Sequence, residues 1–428
     1  MSQAARILLA LVAGLLLGIA AAYGGGAWVA RAAAVAEPIG GLWLDALRMT
    51  IVPLVVSLLI TGIAASAQAA RASRLAARAI VMFLILLLMS SLLAAVMVPI
   101  LLDIFPMPAA SAAALKGVLS ATPEKIGAVP GFGEFLRSIV PTNPIAAAAN
   151  DQILPLILFT TVFGFALIKL GDAQRLLLTR FFTAIADVML VIINWVLWLA
   201  PIGVFALAFV VGARAGTAAF GALAHYVLIL SSLGVMVWLS AYPLAMIGGR
   251  LRLTDFARAV APAQAVAIST QSSLASLPAM LRAARALDVP VAASGVTLPL
   301  AVAMYRATGP AMNLGVALYV AHWFGIHIGP AAMVAGIAAG ATTTIGSVSL
   351  PGQVSFVTSI APICLAMGIP IEPLILLVPI EPIPDIFRTV GNVTMDVAVT
   401  ATAARRAGFE GAAPGMEDDL IEGARSTG

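Results

Sequence analysis

Residues 80 to 102, IVMFLILLLMSSLLAAVMVPILL, contain no charged side chain, and a helix of that length matches the hydrocarbon thickness of a bilayer. The run is one of several. The chain is 62% hydrophobic and 10% charged, with a mean hydropathy of +1.08, which describes a polytopic membrane protein. The membrane is therefore the solvent against which every polar residue must be judged. Near the bilayer centre a charged side chain costs about 2.5–3.5 kcal/mol on insertion scales, so a cluster of them needs mutual pairing or a water-filled cavity, and usually a task. Residues 381 to 396, EPIPDIFRTVGNVTMD, hold Glu381, Asp385, Arg388 and Asp396.

Other residue types narrow the classes. A single cysteine, Cys364, excludes an internal disulfide and a cysteine-rich metal site. His225, His322 and His327 form no HExxH pattern and read as interfacial residues. The net charge of +4 does not mark a nucleic-acid binder, because the arginines fall in short loops between apolar runs instead of forming a basic face.

The first run, residues 7 to 26 after Arg6, reads as a span and not as a cleaved leader, because further spans follow it at once. Later apolar segments centre on 42–66, 79–102, 150–168, 182–212, 218–247, 291–326 and 373–403. With a cytoplasmic N-terminus, alternation places Arg71, Arg74, Arg78, Lys169, Arg175, Arg180, Arg250, Arg252, Arg258, Arg282, Arg285, Arg405 and Arg406 inside. Arg31, Lys116, Lys125, Arg137 and Arg214 stay outside, which is the positive-inside asymmetry. Segments 259–281 and 330–365 are rich in Ser, Thr, Gly and Pro and must return to the side they came from. They read as re-entrant hairpins, tolerated at membrane depth where protein or a wet cavity satisfies the backbone. The polar end, 407–428, reads as a mobile cytoplasmic tail.

Both hairpins carry a Ser-Leu-Pro, at Ser276-Leu277-Pro278 and Ser349-Leu350-Pro351, read as their tips, and each precedes a long apolar span. That order suggests an inverted repeat, with the binding site at its interface. The seventh span is interrupted by Gly309-Pro310, where proline removes a backbone donor. A simple kink would explain it; the facing polar hairpins favour a broken helix lining a cavity.

Wound as a helix, Glu381, Asp385, Arg388 with Thr389, Asn392 and Asp396 recur at steps of three and four and line one face. The bland alternative is a stripe of ions paired among themselves. Against it, the Arg388 fork suits a carboxylate and Asp385, one turn away, suits an ammonium group. Together they complement an acidic amino acid.

These residues carry a resemblance. DIFRTVGNVTMD (385–396), TQSSLASLP (270–278), IGSVSLPG (345–352), VPTNPIAAAANDQILP (140–155) and APIGVFAL (200–207) resemble the dicarboxylate/amino acid:cation symporters, the glutamate and aspartate transporters, across most of residues 1 to 406. The resemblance implies an all-α polytopic membrane protein with eight transmembrane helices, two re-entrant helical hairpins, inverted repeats and an elevator-type mechanism. It implies a homotrimer in the bacterial inner membrane with both termini cytoplasmic. Residues 1–250 would be mainly scaffold, with spans 3 and 6 joining the transport core of 251–406. Arg388 would hold the distal carboxylate and Asp385 the amine, with Ser272, Ser273, Leu350, Thr389 and Asn392 closing around the substrate. Thr344, Ile345, Ser347, Glu381, Asn392 and Asp396 would serve the coupling cation, a proton or sodium, with a possible sodium at Asp396 and second-hairpin carbonyls. No other cofactor is implied; the partners are the small acidic amino acid or dicarboxylate and membrane lipid.

The chain also departs from the pattern. The seventh-span signature Asn-Met-Asp-Gly-Thr aligns with Met312-Asn313-Leu314-Gly315-Val316, and a third-span Thr-Ser pair aligns with Leu86-Leu87. Both substitutions remove oxygen ligands for a deep sodium ion. About seven extra residues, two helical turns that include Arg306, precede the signature. Arg306 is then expected either to act as a tethered cation beside Asp396 or Glu381, or to snorkel to the cytoplasmic edge. The leading function is symport of acidic amino acids, the first alternative a C4-dicarboxylate carrier. A passive channel and an intramembrane hydrolase are the rivals from other classes; the latter lacks a His or Lys beside Ser272 and Ser273.

Overall fold

The computed structural model describes residues 3–72, 74–107, 140–150, 152–215, 218–346 and 352–406. Among these the secondary structure is helical, with no strand. The order is α1 (Gln3–Gly24), α2 (Ala27–Arg48), α3 (Ile51–Ala72), α4 (Arg74–Ile104), α5 (Pro144–Ala149), α6 (Ile153–Leu167), α7 (Asp172–Trp198), α8 (Ala200–Ala215) and α9 (Ala218–Pro243). A π-helical turn (Leu244–Gly248) extends α9, and then come α10 (Leu253–Thr270), α11 (Ser273–Ala286), α12 (Val291–Met304), α13 (Gly309–Phe324), α14 (Pro330–Gly346), α15 (Gly352–Ala366), α16 (Leu374–Leu377) and α17 (Pro382–Arg406). Among the described residues, the stretches Ile51–Gln68, Leu75–Ile104, Asp172–Trp198 and Gly221–Gly248 are helices long and apolar enough to cross a membrane.

The helices gather about two centres that meet along α3, which packs on α4, α14 and α15 as well. α1 and α2 lie on α8, and α3 lies on α6 and α7. α17 is surrounded by α9, α10, α11 and α12, while α13 packs on α4, α9, α14 and α15. The charged helix is thus at the centre of its group, which is why Thr389 to Ala404 are buried without a break. The α1–α8 contact is a backbone approach made possible by glycines: a Cβ on Gly18 would lie 2.3 Å from the Phe209 carbonyl oxygen, and one on Gly212 2.4 Å from that of Leu15. Gly18→Leu should force these helices apart, an overpacking cost of about 1–3 kcal/mol or more. A melting temperature in detergent equal to that of the wild type would refute this close approach.

The structure corrects the sequence reading in several places. Segment 182–212 is not one span: α7 ends at Trp198 and α8 starts at Ala200, because Pro201 can only be seated in the first turn of a new helix. The 42–66 segment likewise divides at Met49-Thr50, between α2 and α3. The two polar segments are helical hairpins, α10 with α11 and α14 with α15, packed limb on limb. The first hairpin turns at Gln271-Ser272 and not at Ser276-Leu277-Pro278. Gln271 adopts a left-handed conformation (φ 49°, ψ 34°) that ends α10, and the Ser272 hydroxyl accepts from the Ala275 N–H to cap α11. Ser276 to Pro278 lie inside α11. The second Ser-Leu-Pro, the loop positions Lys116, Lys125 and Arg137 and the 407–428 tail lie outside the described residues.

Candidate functional site: a charged stripe against a broken helix

α17 starts where Pro382 supplies a first-turn residue that has no N–H to satisfy. Asp385 in its first turn and Arg405 and Arg406 in its last complement the helix dipole. Glu381 lies just ahead of the helix and not on its face; its carbonyl accepts the Asp385 N–H at 2.9 Å. The stripe therefore begins at the cap. Arg388 reaches back along it: Nη2 meets Glu381 Oε1 at 2.5 Å, Nε lies 3.3 Å from Asp385 Oδ1, and Nη1 donates to Asn313 Oδ1 of α13 at 2.7 Å. The second Glu381 oxygen accepts from the Tyr226 hydroxyl of α9 at 2.8 Å. The acidic side chains are only 4% (Glu381) and 14% (Asp385) exposed, and Arg388 13%, so water does little to screen them.

The opposing element is the interrupted span. Tyr305 closes α12 with its N–H on the Ala301 carbonyl at 2.7 Å, and α13 begins at Gly309-Pro310. The break, Tyr305 to Thr308, is held from several sides. The Asn392 side-chain oxygen accepts from the Thr308 N–H at 2.9 Å and lies 2.8 Å from its hydroxyl, which is also 3.0 Å from the Arg388 carbonyl. Ser90 of α4 donates to the Ala307 carbonyl at 2.6 Å, and Phe83 stacks on Tyr305 at 4.6 Å. Thr344 of α14 closes the other side, where a Cβ on Gly309 would come 3.1 Å from its methyl group.

This placement corrects the register of the seventh span. Met312 to Val316 lie inside α13, fully helical and buried, so they are not the unwound segment. The break is seven residues upstream, at Tyr305, and a signature moved there needs no extra turns. Ala307 then occupies its carboxylate position and Arg306 lies in the break itself. In α4 the hydroxyl facing the break belongs to Ser90, not to the Leu86-Leu87 positions; Ser91 is buried beside Gly340 of α14, its hydroxyl without a hydrogen-bond partner among the described residues.

Arg306 lies within electrostatic reach of Asp385, Arg388 and Asp396. Taken in spatial order, Glu381, Arg388, Asp385, Arg306 and Asp396 alternate in sign, three carboxylates against two guanidinium groups. Asp396 is fully buried and neither of its oxygens has a hydrogen-bond partner among the described residues.

Of the sequence-predicted residues, Glu381, Asp385 and Arg388 come together at the start of α17, and Asn392 with the Arg388 carbonyl holds the break. The internally paired arrangement of Arg388 with Glu381 and Asp385 is the one the structure contains. Thr389 is buried, its hydroxyl donating to the Asp385 carbonyl at 2.9 Å. Ser272 and Ser273 are half-buried at the first hairpin's turn, where Gln271 Nε2 reaches the Pro382 carbonyl at 3.2 Å. Thr344 donates to the Gly340 carbonyl at 2.8 Å, and Ile345 lies in the last turn of α14. Ser347 and Leu350 lie outside the described residues. Among the described residues, no three His, Cys, Asp or Glu side chains gather as a metal site. Tyr226, Asn313 and Thr308 were missed; Asn313 and Thr308 had a signal as polar residues in an apolar span, whereas Tyr226 had none.

Comparison with known proteins gives a consistent picture. The profile of the sodium:dicarboxylate symporter family matches residues 4–406. The proton/glutamate-aspartate symporter of Escherichia coli (strain K12) is 28% identical over 412 residues, covering 92% of this chain and 90% of the relative. A proton/sodium-glutamate symport protein of Bacillus caldotenax is 25% identical over 406 residues, covering 91% and 90%. A C4-dicarboxylate transport protein of Acinetobacter baylyi is 32% identical over 194 residues, covering 44% of this chain and 40% of its own.

Proposed function

We propose, for a chain that belongs to the sodium:dicarboxylate symporter family and is thereby a transporter and not an enzyme, that it carries small acidic amino acids such as aspartate or glutamate into the cell by symport. The observation that carries this reading is the buried guanidinium of Arg388, one turn from Asp385 and beside a broken helix. A fork of donors recognises a carboxylate bidentately, and an adjacent carboxylate recognises an ammonium group. The names of the two relatives that match along nearly the whole chain support it.

In this reading Arg388 exchanges Glu381 for the distal carboxylate of the substrate, Asp385 takes the amine, and Ser272, Ser273, Thr389, Asn392 and Leu350 close around the rest. The protein is a homotrimer of eight spans and two re-entrant hairpins in the bacterial inner membrane, with cytoplasmic termini. The group of helices around α17, with α4 and α9, travels as the elevator past a scaffold drawn mainly from residues 1–250. The clustering of α9, α10, α11 and α12 about α17 supports that division. Coupling is to protons or to few sodium ions: Asp396, with two unpartnered buried oxygens, offers a carboxylate to either. Arg306 stands in the break as a tethered cation in place of one sodium ion, supported by its proximity to Asp396.

The test is uptake of labelled aspartate and succinate into proteoliposomes, with sodium, proton and potassium gradients imposed separately. Accumulation of aspartate against its gradient supports an amino-acid symporter; accumulation of succinate alone makes the protein a C4-dicarboxylate carrier, and flux without accumulation a channel. Asp385→Ser should lose aspartate transport by about tenfold or more, the equivalent of roughly 1.4 kcal/mol, while sparing substrates that lack an amine. Equal loss of aspartate and succinate would leave Asp385 only its pairing with Arg388.

A further inference from the structure

We infer that Glu381 is the proton-carrying group of the cycle and that Tyr226 selects which of its oxygens takes the proton, so that proton uptake and substrate binding are one event at Arg388. The inference rests on the symport reading above.

The geometry is asymmetric. Glu381 Oε2 accepts the Tyr226 hydroxyl at 2.8 Å, while Oε1 faces Arg388 Nη2 at 2.5 Å. Tyr226 is fully buried on α9, with its ring edge-on to Tyr319 of α13 at 5.3 Å between centroids. Among the described residues, the charged and titratable groups around Glu381 are Tyr226 from α9 and Arg388 and Asp385 from α17; Tyr319 of α13 faces Tyr226, and Asn313 of α13 completes the arginine's contacts. A phenol donates one hydrogen, and here that hydrogen is committed to Oε2. A proton arriving from the water therefore bonds to Oε1. The carboxylate becomes a carboxylic acid, and its O–H then points at an Arg388 N–H. Two donors cannot share that contact. Arg388 gives up Glu381 and presents Nη2 to the incoming carboxylate, which restores the charge pairing that the proton removed. Run in reverse, loss of the proton restores the Glu381 carboxylate as a competitor and expels the substrate. Binding of either ligand promotes the other by the same factor.

The experiment uses the full chain reconstituted in liposomes, with exchange of labelled aspartate and labelled succinate measured across a range of external pH, and with accumulation driven by a pH gradient. One linked proton predicts that the wild-type half-saturating concentration rises about tenfold per pH unit on its alkaline limb. Glu381→Gln mimics the protonated form: it should keep exchange, lose that slope and lose gradient-driven accumulation. Tyr226→Phe should keep exchange and displace the pH profile, because either oxygen can then take the proton. This shift keeps the inference testable if the Gln variant fails to insert, and an unmoved profile in Tyr226→Phe would count against the assigned role. A Glu381→Gln variant with the wild-type slope and accumulation would overturn the inference while leaving the symport reading standing. Wild-type protein that exchanges neither substrate would overturn both.

Discussion

Arg388→Cys is expected to abolish uptake of acidic substrates and to leave room for small neutral amino acids. The guanidinium makes three polar contacts in a site that is 13% exposed at its side chain, so nothing else on the stripe can replace its charge. Removing one partner of a buried, hydrogen-bonded charge pair costs about 2–5 kcal/mol, roughly 30- to 4,000-fold in affinity. The same substitution strands Glu381 and Asp385, and a melting measurement beside the transport assay separates lost recognition from a lost fold. Exchange of a labelled neutral amino acid by the variant would identify the loss as one of selectivity. Aspartate binding at wild-type strength would end the assignment.

Arg306→Ala carries the second large effect. Arg306 lies in the break, within electrostatic reach of two acids, Asp385 and Asp396. Without it, three carboxylates face a single guanidinium in a buried site, and the imbalance must be met by bound cations or by protons. The wild type should depend weakly on sodium, and the variant should either lose transport by more than about tenfold, equivalent to 1.4 kcal/mol, or become newly responsive to external cations. Initial uptake rates over a sodium titration distinguish the two proteins. Steep sodium dependence in the wild type together with normal behaviour of Arg306→Ala would exclude a tethered cation.

The parts of the site that were legible in the sequence follow a period or a composition. Residues spaced by three and four put Asp385, Arg388, Asn392 and Asp396 on one face, and the Ser, Thr and Gly content of residues 259–281 and 330–365 marked helical hairpins. What failed were boundaries. Gly309-Pro310 marked an interruption, but proline begins a helix more readily than it ends one, so the unwound residues are those before it. The first hairpin's turn depended on Gln271 taking a left-handed conformation, which glutamine does not advertise. The Leu86-Leu87 alignment passed over Ser90 because one helical turn of register cannot be judged inside a uniformly apolar run. Tyr226 was invisible for a different reason: its significance lies entirely in Glu381, 155 residues away.

The alternating row of charges also makes the protein an electrical device. With all five groups ionised the row holds one surplus negative charge, and moving one elementary charge through a membrane potential is worth about 2.3 kcal/mol per 100 mV. In the elevator reading proposed above, a negative cell interior would push the empty carrier outward and so reset it. A loaded carrier holding a monoanion, one proton on Glu381 and a second cation at Asp396 would be neutral and would cross inward without opposition. The resting potential would then be spent on the return stroke, and the rate of resetting, not of loading, would follow voltage.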